Sequence, residues 1–124
     1  MHTILIVDDN QDFLEVMQDL LSLEGYDVLL APSMQEALVL LDSRNIDVLL
    51  TDLRLPENDM TGPTLLSVVR EKSLTTVCIL VSGWYDVSAH KGFDAYLPKP
   101  LCAPVMFKTI RECLASKTHA PEQS

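Results

Sequence analysis

Apolar and polar positions alternate along the chain with two different periods. Short runs of mostly apolar, often β-branched residues predict buried strands. Five such runs occur, at Thr3–Val7, Tyr26–Ala31, Asp47–Thr51, Val77–Val81 and Ala95–Leu97. Between them, apolar residues recur three and four positions apart, which predicts amphipathic helices. Alternating strands and helices in a chain of this length predict an α/β fold, in which a parallel sheet carries helices on both faces.

The helical segments also carry start and stop signals. In the first helix the apolar positions i, i+3, i+4 and i+7 are occupied by Phe13, Val16, Met17 and Leu20. Gly25 follows as a stop signal. Ser33 with Glu36 forms a capping-box pattern before the second helix. Pro63 and Pro104 lie near the first turns of two later helices, where proline is tolerated. We therefore expect one domain over residues 1–117, with a sheet in the order 2-1-3-4-5, followed by a loose polar tail at residues 118–124.

Reactive side chains follow four of the five predicted strands. Asp8 and Asp9 come after the first strand, Asp52 after the third, Ser82 after the fourth and Lys99 after the fifth. The carboxyl ends of parallel strands share one edge of the sheet, where α/β proteins form their sites. Neighbouring carboxylates repel each other unless a cation offsets their charge. Three carboxylates at one edge are suited to a hard divalent cation, and we expect Mg²⁺.

Simpler interpretations exist for individual residues. Asp8 could cap a helix that starts near Asn10, which would leave Asp9 merely solvated. Ser82 could begin a turn with Gly83, and Tyr96 could be an ordinary packing residue of a short strand.

Composition and charge narrow the function classes. The net charge of −9 argues against direct binding to nucleic acid or to an anionic membrane. No apolar stretch approaches the roughly 20 residues of a membrane span, and no signal-like segment precedes the first strand. The three cysteines match no metal-binding spacing and form no even disulfide set. We therefore expect reduced thiols in a cytoplasmic protein.

The reactive residues that follow the strands, taken in chain order, resemble those of receiver domains of two-component signalling, the response-regulator family. The matching positions are the pair Asp8–Asp9, then Asp52, Ser82, and Lys99 followed by Pro100. The resemblance extends from Thr3 to Ser116. It implies a flavodoxin-like, doubly wound (βα)5 fold. It also implies a phosphoacceptor switch that catalyses its own aspartyl phosphorylation and dephosphorylation and is not otherwise an enzyme.

The family pattern implies a role for each acidic position. Asp52 resembles the phosphoacceptor. Asp9 and Asp52 would bind Mg²⁺ directly, Asp8 would bind it through water, and the backbone carbonyl of Arg54 would complete the set. Arg54 and Trp84 each lie two positions beyond a key residue, where receivers vary the lifetime of the phosphoryl group. We expect Trp84 to cover the acyl phosphate and Arg54 to pair with a phosphoryl oxygen.

The family pattern implies that the remaining site residues form a conformational switch. Lys99 would neutralise phosphoryl charge, and the Lys99–Pro100 bond would be cis as in the family. Ser82 would move to the phosphoryl group, and the ring of Tyr96 would swing inward with it.

The resemblance implies a histidine kinase or histidine phosphotransfer protein as donor and a downstream protein as target, with a monomer or a phosphorylation-dependent dimer as the assembly. The start at Met1 favours a native amino terminus, and a stand-alone regulator is expected. "GFDAYLPKP" resembles receivers attached to hybrid histidine kinases, so a fragment of a longer protein is the alternative. A small aspartate-based phosphatase using Asp8 and a degenerate receiver acting as a docking module are two further alternatives.

The chain departs from the family between Ser82 and Lys99. These residues are seventeen positions apart, about five fewer than receivers usually use for a full fourth helix between the fourth and fifth strands. After a turn at Gly92 is allowed for, roughly Val87–Lys91 is left, little more than one turn of about 3.6 residues. We therefore expect a shortened or irregular fourth helix that becomes ordered on phosphorylation.

Overall fold

The computed structural model describes residues 1–53, 55–56, 61–73, 75–83 and 91–119. Outside these residues lie Arg54, Trp84 and most of Val87–Lys91, the segment predicted to form a shortened helix between the fourth and fifth strands. Gly92, where a turn is predicted, is described and has a φ of +92°. A Cβ at this position would lie 2.9 Å from Leu66 Cδ2, a contact that the flexible end of Leu66 can relieve, so it is the positive φ that favours glycine.

The described elements form an α/β unit with a five-stranded, fully parallel sheet. The strands are β1 Thr3–Val7, β2 Asp27–Ala31, β3 Val48–Asp52, β4 Val77–Ser82 and β5 Ala95–Pro98. The described helices are α1 Gln11–Leu23, α2 Met34–Ser43, α3 Thr61–Lys72 and α4 Ala103–His119. The sheet order is β2-β1-β3-β4-β5, which confirms the predicted flavodoxin-like topology. None of the described helices is long and apolar enough to cross a membrane.

Polar side chains cap the starts of α1 and α2, and the sequence indicated the cap at Ser33 but not the one at Asn10. The Asn10 side chain accepts a hydrogen bond from the Phe13 backbone N–H at 3.1 Å and caps α1. Ser33 Oγ accepts from the Glu36 N–H at 3.2 Å and donates to the Glu36 carboxylate at 3.1 Å. The hydrogen bonds from the Phe13 and Glu36 N–H groups each satisfy a backbone donor that has no partner within the helix. The beginnings of α1 and α2 are therefore set by local chemistry.

The sheet is buried on both faces because its strands alternate between two apolar layers. Ile4 and Ile6 of β1 face the layer covered by α1 and α4. Leu5 and Val7 face the layer covered by α2 and α3. All four side chains are at most 1% exposed. Burial on both faces explains why the strands are continuous apolar runs without polar alternation.

The rotation of α1 differs from the one that its apolar spacing suggests. The buried residues of this helix are Leu14, Met17 and Leu21. Val16, which shares the predicted apolar stripe, is 55% exposed, and Phe13 is partly buried. Periodicity establishes that the segment is helical, but the fit of side chains against the sheet decides which stripe faces inward.

An ionic cluster joins four elements at the edge of the sheet opposite the predicted site. One Asp94 carboxylate oxygen accepts hydrogen bonds from the Cys78 backbone N–H at 2.7 Å and from Arg70 at 2.9 Å. Lys117 Nζ lies 3.2 Å from the other oxygen. Arg70 also donates to the Thr76 carbonyl at 2.8 Å. Burial acts to raise the pKa of Asp94, but these hydrogen bonds outweigh it and hold the pKa below its usual value.

We expect Asp94→Ala to lower the free energy of unfolding by about 1 to 3 kcal/mol at pH 7, because it removes charge-assisted hydrogen bonds to a side chain that is 21% exposed. The pKa of Asp94 is lower in the folded chain. Its contribution is therefore complete above the unfolded value of about 3.9 and is lost as the pH falls through the folded value. Urea denaturation at pH 7 and at about pH 3 measures both effects.

Asp27→Ala is the matched control. Asp27 pairs with Arg44 at 3.5 Å, and both side chains are 47% exposed. Exposed pairs contribute about 0 to 1 kcal/mol. Equal losses in the two variants would contradict a special role for the Asp94 cluster.

Candidate functional site

The carboxyl ends of four strands lie side by side at one edge of the sheet. In the register, Val7 is level with Thr51, Asp52 with Val81, and Ser82 with Pro98. The predicted site residues therefore arrive at nearly the same height, because each ends a strand or follows it directly. The sheet order brings β1 and β3 together at the centre and places β4 and β5 beside them.

Lys99 is the partner that the acidic residues require. Its ammonium donates hydrogen bonds to Asp8 Oδ2 at 2.7 Å and to Asp52 Oδ2 at 3.2 Å. Burial acts to lower the pKa of Lys99, but the hydrogen bond to Asp8 and the charges of both acids raise it overall. One ammonium thus offsets the repulsion between two neighbouring carboxylates.

Asp8 is built into the start of the loop between β1 and α1. The residue is 2% exposed, and its Oδ1 accepts the Asn10 backbone N–H at 2.9 Å. Its own N–H donates to the Ala31 carbonyl at 3.2 Å. Asn10 is the cap of α1, so Asp8 does not serve as the helix cap and presents its second oxygen to Lys99.

Asp52 ends β3 with its carboxylate directed into the site. Oδ1 accepts the Leu53 backbone N–H at 2.7 Å, and Oδ2 accepts Lys99. The side chain is 19% exposed, which leaves it accessible to a small reactant. Burial raises the pKa of Asp52, the charge of Asp8 adds to this, and Lys99 offsets the rise only in part. Asp52 is therefore a carboxylate whose ionised form the site does not fully stabilise.

Asp8, Asp9 and Asp52 have the arrangement of a cation site. Each offers one carboxylate oxygen, and these oxygens all lie within 4.8 Å of one another. Asp9 is exposed, whereas Asp8 is buried. Hard oxygen donors at this spacing fit a small divalent cation that keeps several of its waters. The predicted fourth protein ligand, Arg54, lies outside the described residues, as does Trp84.

Ser82 and Tyr96 are in direct contact. Ser82 is 4% exposed at the end of β4, and its carbonyl accepts the Tyr96 hydroxyl at 2.9 Å and the Lys99 backbone N–H at 3.1 Å. The Lys99–Pro100 bond is cis, as the family pattern implies. The backbone of Ser82 therefore connects the predicted switch aromatic to the predicted catalytic lysine.

Two further residues contribute to the site, and sequence reasoning assigned them no part in it. Gly62 lies where a Cβ would be 3.1 Å from the Asp52 carbonyl oxygen and 3.3 Å from Leu53 Cα, so it lets α3 pack closely against the end of β3. A glycine within a helical pattern is the signal that could have revealed this contact. The ring of Phe13 lies 4.9 Å, measured to its centroid, from Lys99 Nζ.

Comparison with known proteins identifies the family. A family model for the response regulator receiver domain matches residues 4–111. The chain belongs to this family. Transcriptional regulatory protein CpxR from Klebsiella pneumoniae and Escherichia coli is 33% identical over 127 residues, which cover 99% of this chain and 53% of CpxR. The receiver domain thus spans about half the length of these relatives.

Solved structures agree with this assignment. A receiver domain protein from Methanospirillum hungatei, described as CheY-like, is 27% identical with a TM-score of 0.87, over 95% of this chain and 97% of its own. TrrA from Thermotoga maritima, solved in complex with Mg(2+)-BeF, is 25% identical with a TM-score of 0.82, over 92% of this chain and 100% of its own.

We expect Asp52→Asn to raise the free energy of unfolding at pH 7. The pKa of Asp52 is higher in the folded chain, so its ionised form destabilises the native state. This penalty is complete above the folded pKa and disappears below the unfolded value of about 3.9. Urea denaturation at pH 7 and at about pH 3 measures the difference, which should vanish at the lower pH.

Asp19→Asn controls for the change in net charge. Asp19 is exposed on α1, so the same change there should have little effect on stability. An equal gain in both variants would assign the effect to net charge and not to the site.

Proposed function

We propose that this receiver domain is the phosphoacceptor switch of a two-component or phosphorelay pathway, with Asp52 as the phosphoacceptor. The observation that carries the proposal is the position of the Asp52 carboxylate, 3.2 Å from the Lys99 ammonium and beside the oxygens of Asp8 and Asp9. An acid in these surroundings can act as a nucleophile toward a phosphoryl group whose charge the site neutralises.

In the reaction, an Asp52 oxygen attacks the phosphorus of a phosphohistidine or a small acyl phosphate. A new O–P bond forms as the donor's N–P or O–P bond breaks, and the leaving group departs with its electron pair. The Leu53 N–H orients the carboxylate through Oδ1. Lys99 donates to the transferring phosphoryl oxygens, whose charge is the main quantity that a site for phosphoryl transfer has to stabilise.

The carboxylates of Asp8, Asp9 and Asp52 would hold Mg²⁺, which would supply further charge neutralisation at the phosphoryl group. The backbone carbonyl of Arg54 is proposed as an additional ligand. The spacing of the three oxygens and their hard donor chemistry support this assignment. The complex of TrrA with Mg(2+)-BeF, in a relative 25% identical to this chain, adds support.

The output step would begin at Ser82. Its hydroxyl would move to a phosphoryl oxygen, and because its carbonyl accepts the Tyr96 hydroxyl, the displacement would reach the Tyr96 ring. A new local charge would in this way bias a two-state element. Two further residues are proposed, from their sequence positions, to lengthen the lifetime of the phosphoryl group: Trp84 by covering the acyl phosphate, and Arg54 by pairing with a phosphoryl oxygen.

The phosphoryl donor would be a histidine kinase or histidine phosphotransfer protein in the cytoplasm, and the output a change in binding to a downstream protein. The placement of Asp8, Asp52 and Lys99 at one strand edge favours this function over a small phosphatase that uses Asp8. In a phosphatase of that kind Asp8 would attack phosphorus, but its side chain is only 3% exposed, whereas the side chain of Asp52 is 19% exposed and open to a small reactant.

Incubation with acetyl phosphate and Mg²⁺ should place one phosphoryl group on the wild-type chain, and Asp52→Asn should remove it, because the amide is not a competent nucleophile. Intact-mass spectrometry measures the product. Asp19→Asn, which makes the same charge change at an exposed position, should keep wild-type phosphorylation. A phosphoryl group retained on a folded Asp52→Asn variant would refute Asp52 as the acceptor.

Mg²⁺ should stabilise the wild-type chain, by roughly 1.4 kcal/mol at a concentration ten times the Kd, and Asp9→Asn should abolish most of this gain by removing one carboxylate ligand. The measurement is urea denaturation with and without Mg²⁺ at constant ionic strength. Asp12→Asn, at an exposed position in the first turn of α1, is the control that should keep the gain. An unchanged Mg²⁺ effect in Asp9→Asn would contradict the proposed ligand set.

A further inference from the structure

Phe13 is held beside the reactive lysine by the start of α1. Its backbone N–H donates to the capping side chain of Asn10 at 3.1 Å, which anchors the residue in the first turn. Its ring lies under the Lys99 ammonium, with 4.9 Å between Nζ and the ring centroid. This distance is within the roughly 6 Å over which a cation is attracted to an aromatic face.

Phe13 differs in kind from Asp8 and Asp52, the two carboxylates among the described residues that pair with this ammonium. Asp8 and Asp52 are also the proposed metal ligands, and Asp52 is the proposed phosphoacceptor, so both change partners during the reaction. An aromatic ring binds neither Mg²⁺ nor a phosphoryl oxygen. Its attraction for the ammonium therefore persists when the carboxylates are engaged elsewhere. The four-carbon stem of a lysine is flexible, and its head needs such a fixed neighbour to keep one position.

Phe13 is not one of the fully buried residues of α1. The interior stripe of α1 consists of Leu14, Met17 and Leu21, and Phe13 lies off that stripe. It lines, together with Val16 and Lys99, a groove of about 240 Å³ between α1 and the segment that leads into α4. Phe13 is partly buried and packs against the core, and its ring contacts Lys99 as well.

We propose that Phe13 is a positioning residue for the phosphoryl transfer, whose ring holds the Lys99 ammonium against Asp52 while the carboxylates exchange partners. The proposal rests on the proposed function, since the position of Lys99 matters only if Asp52 accepts a phosphoryl group. Phe13 itself touches neither the donor nor the reacting atoms.

The first test compares rates of phosphorylation by acetyl phosphate in the presence of Mg²⁺. Phe13→Leu keeps an apolar side chain but removes the ring, and Phe13→Tyr keeps the ring. We expect Phe13→Leu to react about threefold to tenfold more slowly and Phe13→Tyr to stay within about twofold of wild type. A small donor needs no protein docking, so a loss cannot come from weaker partner binding.

The second readout does not depend on phosphorylation. The ε-methylene protons of Lys99 should show an upfield ring-current shift in proton NMR spectra of the metal-free wild type, assigned by its loss in Lys99→Arg. Phe13→Tyr should keep the shift and Phe13→Leu should lose it. Val16→Ala removes apolar volume from the same groove at a position that is 55% exposed, and it should change neither the shift nor the rate.

The outcomes separate the two proposals. A Phe13→Leu variant with wild-type rate and shift, or a Phe13→Tyr variant as slow as Phe13→Leu, would overturn the positioning role. Should the wild type carry no phosphoryl group on Asp52, the proposed function fails, and the positioning role fails with it even if the ring-current shift establishes the contact. Circular dichroism checks folding, and Phe13→Met replaces Phe13→Leu if the latter does not fold.

Discussion

The pairing of one ammonium with two carboxylates is the interaction on which the acidic edge of this receiver domain depends. Lys99 follows β5, which is separated from β3 by β4, yet its Nζ lies 2.7 Å from Asp8 and 3.2 Å from Asp52. The long lysine stem therefore extends across the end of β4. Without this cation, a nearly fully buried Asp8 would face Asp52 with no opposite charge between them, an arrangement that is strongly unfavourable in a poorly solvated site.

Lys99 compensates only part of the unfavourable environment of the Asp52 carboxylate at this edge. Lys99 does not fully offset the burial of Asp52 and the charge of Asp8, so the pKa of Asp52 stays above its usual value. A group in this condition gains stability when a further cation arrives or when its own charge environment changes. Functional groups are often held in such states at the expense of stability.

At the opposite edge of the sheet, the ionised carboxylate of Asp94 is stabilised more completely than that of Asp52. Asp94 also loses solvation, but the Cys78 backbone N–H, Arg70 and Lys117 surround it, and its pKa falls. The two acids belong to the same small domain and differ in their donors. Asp94, which directly precedes β5, links that strand to α3, β4 and α4, whereas Asp52 keeps a raised pKa.

The sequence by itself determined the parts of this protein that depend on neighbouring residues. Its apolar periods identified the five strands to within one residue at each end and indicated that helices lie between them, and Ser33 with Glu36 located the start of α2. The residues that follow the strands, Asp52 and Lys99 among them, were sufficient to predict the acidic edge, because parallel strands bring their carboxyl ends together whatever the details of packing.

Only the tertiary structure decided the contacts between distant parts of the chain. The rotation of α1, which buries Leu14 and exposes Val16, depends on how side chains fit the sheet, and a period of 3.6 residues is compatible with several rotations. The approach of Phe13 to Lys99 and the enclosure of Asp94 join residues that are far apart in sequence. No local pattern encodes such distances. They are set when the elements pack, because the position of each side chain then depends on the space and the hydrogen-bond partners that its neighbours provide.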